Sequence, residues 1–373
     1  MTDVQSIQTT QTRKVSFSEY ALIAVVLFLA TKACTLPSVL AEAAGAKSVW
    51  VILMLFAMEC VLLYFATKTA RQGGLFALDL PKWTKTAAGI FLLLFFALKL
   101  AAFTREISTY FALSLFESVP VLPISVILLV FTCLFAHGGF ASLGRVLEIF
   151  VWLFVFVFLF VIIFTRTEGD LFNALAIFSP DVTGMGRGAF HALGWFGDAA
   201  VVSLIDLSGT ESTPKSTTKG KNKMLFAALG LSCLLLVTFY AVFTSVYGEA
   251  ARMTDYAFIK LSAFRANTDE LGSADWPMIT LWSVLSFAYL GLILLAGKEC
   301  AVGVSHKEGR KAGKVAFALL SIFALVLSVL VSDEASAHEK FMTGVMSAAA
   351  LVAGAVTIAM GAVSIYKSKV KYE

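Results

Sequence analysis

The stretch Ala21-Leu22-Ile23-Ala24-Val25-Val26-Leu27-Phe28-Leu29-Ala30-Thr31-Lys32-Ala33-Cys34-Thr35-Leu36-Pro37-Ser38 begins as a membrane span and then breaks. The apolar run ends at Leu29–Ala30 and meets a lysine, two threonines and a proline. Pro37 lacks an N–H and clashes with the preceding turn, so a helix kinks or unwinds there. A second apolar segment breaks in the same way at Gly194-Trp195-Phe196-Gly197-Asp198. Two glycines three apart release a helix at low cost. The first break falls in the first span of the chain and the second in the sixth. Paired discontinuous helices in corresponding halves are the best sequence pointer to a substrate site in membrane transporters built from inverted repeats. Pro and Gly are also common in spans that merely bend, so the pattern alone supports both a site and a pair of kinks.

Composition agrees with a membrane chain. Of the 373 residues, 59% are hydrophobic and only 14% charged, with a mean hydropathy of +0.85. A soluble domain carries roughly 25% charged residues. A span needs about 20 apolar residues. Ten such segments are expected, at 18–44, 47–68, 84–113, 120–137, 143–165, 187–206, 223–247, 275–298, 312–332 and 341–366. Of the 29 Lys and Arg, nineteen lie at the N-terminus and in alternate connections and eight in the opposite ones. Lys32 and Lys99 remain inside spans. The positive-inside rule then places both termini in the cytoplasm and makes the number of spans even. The organisation expected is a cytoplasmic tail at 1–17, a first five-helix repeat at 18–165, an outer connection at 166–186, a second five-helix repeat at 187–366 and a cytoplasmic tail at 367–373. Ser208–Lys223, rich in Ser, Thr, Gly and Lys, reads either as a flexible linker between the halves or as an ordinary basic loop. The connection 248–274 carries Tyr256, Phe258, Ile259 and Phe264 and has room for a short surface helix.

Ionisable residues inside a membrane are costly and are functional candidates by default. The deep ones are Lys32, Glu59, Lys99, Glu148 and Asp198. Pairing reduces the cost of burial, and the sequence allows Lys32–Asp198 and Lys99–Glu59. Glu59 and Asp198 are the candidates for coupling to protons. Arg145 and Glu148, three apart, read as a local ion pair. The cysteines at 34, 60, 133, 233 and 300 fall in or at the ends of apolar segments, no pair has metal-ligand spacing, and they read as small core residues rather than a disulfide or zinc framework. No Gly-x-Ser-x-Gly elbow or His-Glu-x-x-His motif is present. His137, His191, His306 and His338 are scattered near span ends. An enzyme is therefore not expected, and neither a metal nor a cofactor is.

Four stretches carry a family resemblance. They are Val15-Ser16-Phe17-Ser18-Glu19-Tyr20 leading to Pro37 and Ala46-Lys47-Ser48-Val49-Trp50; Arg105-Glu106-Ile107-Ser108 leading to Phe116-Glu117-Ser118-Val119-Pro120; His137 through Glu148; and Phe172-Asn173-Ala174-Leu175 through Pro180. Together they resemble the spore-germination permeases, the membrane B subunits of nutrient germinant receptors in endospore-forming bacteria. These belong to the amino acid–polyamine–organocation superfamily. The resemblance covers most of the first 200 residues and fades afterwards. It implies ten spans in a LeuT-type 5+5 inverted repeat, with the first and sixth helices interrupted. It also implies an amino-acid-sized ligand at the two breaks, a spore inner-membrane location, and A-type and C-type partner subunits. Where the family tends to have a glycine in the first break, this chain has Ala30-Thr31-Lys32-Ala33.

The ligand site is accordingly expected at Lys32, Ala33, Cys34 and Thr35 together with Gly194, Trp195, Phe196, Gly197 and Asp198. Lys99 and Ser286 would line it from the third and eighth spans. Backbone groups freed at the breaks would hold the ligand's charged ends, and Trp195 or Phe196 would close over it. A nutrient-sensing subunit that binds an amino acid and an ion-coupled or exchanging amino-acid transporter both need this same site.

Overall fold

The computed structural model describes residues 17–44, 48–114, 119–165, 169–170, 185–207, 215–254, 256–263, 275–305, 310–330 and 335–370. Every regular element among them is helical. The first segment is α1 (Phe17–Val25), a π-helical turn (Val26–Ala30), a non-helical stretch, and α2 (Leu36–Ala44). Then follow α3 (Ser48–Ala70), α4 (Lys82–Ser114), α5 (Val121–His137) and α6 (Gly139–Thr165). The sixth segment is α7 (Met185–Ala192) with a 3₁₀ turn (Leu193–Trp195), and beyond the break a longer 3₁₀ helix (Asp198–Leu204). Next come α8 (Lys215–Tyr247), a 3₁₀ turn (Gly248–Met253), α9 (Ala257–Ala263), α10 (Asp275–Ser305) and α11 (Arg310–Leu330). The last segment is α12 (Ala335–Lys340), a π-helical turn (Phe341–Met346) and α13 (Ser347–Val370).

Seven helices are long and apolar enough to cross a membrane, with Ser18–Ala30 and Val121–His137 as shorter apolar helices. The first and sixth segments fall short as single helices because each is broken. An intact helix satisfies its own backbone hydrogen bonds, and a broken one does not. Irregular backbone survives at membrane depth only where protein or a cavity surrounds it. The packing obeys that constraint. Val26, Leu27, Phe28, Leu29 and Ala30 are all buried, as are Asp198 through Ser203. The π-turn and the second 3₁₀ helix sit between α3, α8 and α10, while α4 runs along α10. The outer helices look different. α11 exposes Val315, Leu319, Ile322, Phe323 and Val326, and α5 exposes Ile127, Val130 and Leu134. Such an apolar outer surface belongs in hydrocarbon.

Several expectations shift. Pro37 does not kink a continuous helix; it lies in the first turn of α2, where a missing N–H costs little, and the break precedes it. Lys215–Lys223 is not linker but the opening of α8, because a helix can extend into water beyond the hydrocarbon. A short helix does form in the connection 248–274, as α9, but it is not a surface helix: Ala257, Phe258 and Leu261 are buried, and Phe258 packs against Phe154, Phe158 and Phe239. Arg145 and Glu148 do not pair among the described residues; Glu148 accepts from Ser18 Oγ at 3.3 Å, and Arg145 donates to the carbonyl of Ala141. The outer segment Phe172–Pro180, Lys47 and Ser208–Pro214 lie outside the described residues.

Candidate functional site

Breaking a helix frees carbonyls on one side and N–H groups on the other. At the first break the carbonyls are met by side chains. Lys32 Nζ folds back onto Leu27 O at 2.9 Å, and Trp282 Nε1 of α10 donates to Ala30 O at 3.1 Å. The chain turns through Ala33 N to Leu29 O (3.1 Å) and Cys34 N to Thr31 O (3.2 Å). Ala33 and Cys34 are buried in that turn.

The two glycines of the sixth segment have separate reasons. Gly197 adopts φ 86°, in the left-handed region, where other L-residues are strained. Gly194 is a point of close approach: a Cβ there would lie 2.7 Å from Met342 O in the π-turn of the last segment. The N–H groups past the break are then capped by a carboxylate. Glu59, in the middle of α3, accepts from Gly197 N at 2.8 Å and Ala199 N at 2.6 Å. A carboxylate at the start of a helical segment also complements the local dipole. A freed carbonyl beside it, Phe196 O, receives Lys99 Nζ of α4 at 2.7 Å.

Asp198 joins these pieces. One carboxylate oxygen pairs with Lys32 Nζ. The other meets Lys99 Nζ at 2.7 Å and accepts from Tyr289 Oη of α10 at 3.0 Å. Lys32 forms the expected pair, but Lys99 goes to Asp198 rather than to Glu59, whose two oxygens are occupied by backbone N–H groups. Lys32, Glu59, Lys99 and Asp198 are each fully buried. Two cations and two anions balance, as burial in a low-dielectric interior demands. Aromatic faces flank the cations: Phe196 lies 5.1 Å from Lys32 Nζ and Phe95 lies 5.1 Å from Lys99 Nζ, a favourable arrangement when desolvated. Phe196 itself packs edge-on against Phe56 at 5.4 Å.

A second polar group lies beside the first. Thr35 Oγ1 donates to Glu106 Oε1 of α4 and accepts from Trp195 Nε1 at 3.0 Å. The indole is thus tied across both breaks. The other oxygen, Glu106 Oε2, is buried without a hydrogen-bond partner, as is Ser286 Oγ. Ser286 shares the face of α10 that carries Trp282 and Tyr289, since positions 282, 286 and 289 align at helical spacing. Every sequence-named site residue therefore falls on the two breaks or on the faces of α3, α4 and α10 turned toward them. Glu106 and Tyr289 are not among the site residues expected from the sequence. The signal for Glu106 is its position two turns after Lys99 on one face of α4, but in sequence it stands within the Arg105–Ser108 motif near the end of the span. Tyr289 sits one turn after Ser286, but a tyrosine in an apolar helix carries no distinguishing mark.

Two interrupted helices crossing at a buried, charge-balanced centre inside a ten-segment bundle define a LeuT-fold permease. Solved transporters share this fold. The Na+-coupled sialic acid symporter in its substrate-bound outward-open state superposes with a TM-score of 0.61 at 13% identity, covering 89% of this chain and 78% of that one. MhsT in complex with L-phenylalanine gives 0.60 at 14% identity, covering 92% and 89%. The manganese transporter of Eremococcus coleocola gives 0.57 at 15% identity, covering 94% and 79%. A family model described as spore germination protein matches residues 14–337, and the chain belongs to that family. No curated protein sequence matches it.

Proposed function

We propose that the protein binds a small nutrient of the amino-acid class at the crossing of its two broken helices, as the permease-like subunit of a spore germinant receptor. One observation carries this reading: Glu106 Oε2 and Ser286 Oγ are buried and unpartnered beside the charge-balanced cluster of Lys32, Lys99, Asp198 and Glu59. The free carboxyl oxygen would accept from an ammonium, and the Ser286 hydroxyl would donate to a carboxylate. Lys32 and Lys99 would offer a carboxylate two cations by releasing part of their hold on Asp198. A zwitterion inserted there leaves the net charge of the buried cluster unchanged, which a sugar also does but a simple ion does not. Because Glu59 and Lys99 already occupy the backbone groups of the sixth break, side chains rather than bare backbone would hold most of the ligand. Phe196 and the tethered Trp195 would close over it.

In this reading residues 18–165 and 187–366 are the two five-helix repeats, both termini are cytoplasmic, and the protein sits in the spore inner membrane with A-type and C-type subunits. Coupling, if transport occurs, would run through Glu59 or Asp198. An ion-coupled or exchanging amino-acid transporter is the alternative, favoured by the transport activity of the structural neighbours. Thermal-shift screening of the detergent-purified protein against amino acids, nucleosides and sugars tests the ligand class. A ligand at 100 times its Kd stabilises the folded state by about 2.7 kcal/mol. An amino-acid hit whose affinity falls roughly tenfold or more in Glu106→Gln, the loss expected for a hydrogen bond to a charged group, supports the site. A hit only among sugars or nucleosides, or unchanged affinity in stable Glu106→Gln and Phe196→Ala variants, refutes it. Uptake into proteoliposomes separates carrier from receptor.

A further inference from the structure

A cavity of about 710 Å³ lies between α5, α10 and α11, lined by none of the residues at the helix breaks. Its two ends differ in chemistry. At one end stand His137, the last residue of α5, with Lys298 and Glu299 near the end of α10 and Lys314 in the first turns of α11. At the other end the walls are Cys133, Phe317, Ser321 and Ile322, and the one hydroxyl there, Ser321 Oγ, is already engaged with Cys133 Sγ at 3.4 Å. The volume lies within the roughly 300–1,000 Å³ of small-molecule sites.

The charged end is a net cation. Glu299 is already paired with Lys298 at 3.1 Å, and Lys314 has no ion-pair partner among the described residues. Gly313 lets the two lysines converge: a Cβ there would lie 3.3 Å from Lys298 Cε. The apolar end is continuous with the outer surface. Ile322 both lines the cavity and is 58% exposed, and its neighbours on the same stripe, Leu319 and Val326, are exposed as well. From Lys314 to Ile322 the helix rises about 12 Å at 1.5 Å per residue. That is close to one leaflet of a hydrocarbon core of about 30 Å. Cations at the interface level, an apolar channel one leaflet deep, and a lateral opening toward hydrocarbon together match an amphiphile with an anionic head. A soluble anion would use only the first of these features.

We propose that this cavity binds one anionic phospholipid, its phosphate held by Lys298 and Lys314 and an acyl chain lying along Phe317 and Ile322 between α5 and α11. Each lysine near a membrane surface contributes roughly a fivefold preference for an anionic lipid. Because α11 and α10 also frame one side of the bundle core, the lipid would brace α10, which carries Trp282, Ser286 and Tyr289.

The test is native mass spectrometry of the intact protein in detergent with dioleoyl phosphatidylglycerol and dioleoyl phosphatidylcholine in competition. The expected result is one retained phosphatidylglycerol, with its preference over phosphatidylcholine falling roughly tenfold or more in Lys298→Gln/Lys314→Gln. Ala318→Phe, a bulky change at an exposed position of the cavity wall, should reduce retention of both lipids. The control Lys82→Gln/Arg145→Gln removes two cations elsewhere and should retain the preference. Equal retention of the two lipids by the wild type would overturn the proposal. So would a preference that survives the lysine substitutions, or one lost equally in the control. Displacement of the lipid by inorganic phosphate would show a soluble-anion site instead and would equally overturn it.

Discussion

Replacing Asp198 by asparagine removes the single anion that both Lys32 and Lys99 contact. The buried cluster then holds two cations against Glu59 alone. Breaking a buried ion pair by removing one partner costs about 3–5 kcal/mol, because the remaining charge stays desolvated and uncompensated. The asparagine side chain would still accept from one ammonium and from Tyr289, so the loss is mainly charge rather than packing. Adding Lys99→Met restores neutrality, leaving Lys32 against Glu59. Methionine has the volume and flexibility to fill the space against Phe95 and Phe103. The double variant is therefore expected to be more stable than Asp198→Asn alone, although it contains one more substitution. The coupling between the two positions should be about 1–3 kcal/mol. The assay is a double-mutant cycle of unfolding in mixed micelles with increasing dodecyl sulfate, read by intrinsic tryptophan fluorescence. If the two effects simply add, the cluster is not a charge-balanced unit and the pairing of Asp198 with both lysines does not hold the site together. Lys99→Met alone should cost less than Asp198→Asn, since Asp198 keeps Lys32, though Phe196 O then loses its donor.

Two other outcomes follow from the same geometry. Gly197→Ala should destabilise by about 1–2 kcal/mol from the left-handed backbone, and more because its Cβ would lie 3.0 Å from Phe95 Cζ. Gly139→Ala, at φ 76° with nothing within 4 Å of the new Cβ, isolates the backbone part, and the two are compared by the same unfolding assay. Ligand affinity should be the same in sodium and choline chloride buffers at equal ionic strength, because Lys32 and Lys99 already supply the cations beside Asp198; a requirement for sodium would contradict that assignment.

The sequence by itself determined the class of the protein. Hydropathy and two breaks in the first and sixth segments are local or one-dimensional signals, and they were enough to find the helical segments, although the helix opening at Lys215 starts eight residues before its expected span and the helix ending at Ser305 runs seven residues beyond its own. The breaks were legible because Pro, Gly and an intramembrane charge are each expensive in a span. The identity of the candidate residues was legible for the same reason: Lys32, Glu59, Lys99 and Asp198 stand out against an apolar background. Their partners were not. Whether Lys99 meets Glu59 or Asp198 depends on how α3 and α4 are rotated about the sixth segment, and that rotation is set by packing among helices that look equally apolar in sequence. The tertiary structure decided that Glu59 caps the backbone, that Asp198 serves both lysines, and that Glu106 ties one oxygen to Thr35 of the first break and leaves the other buried and unpartnered. It also decided why each glycine is present: Gly197 for a left-handed turn and Gly194 for contact with a π-turn in the last segment of the chain. Burial cost can be read along one helix, but the group that offsets it lies on another, and only the folded bundle brings the two together.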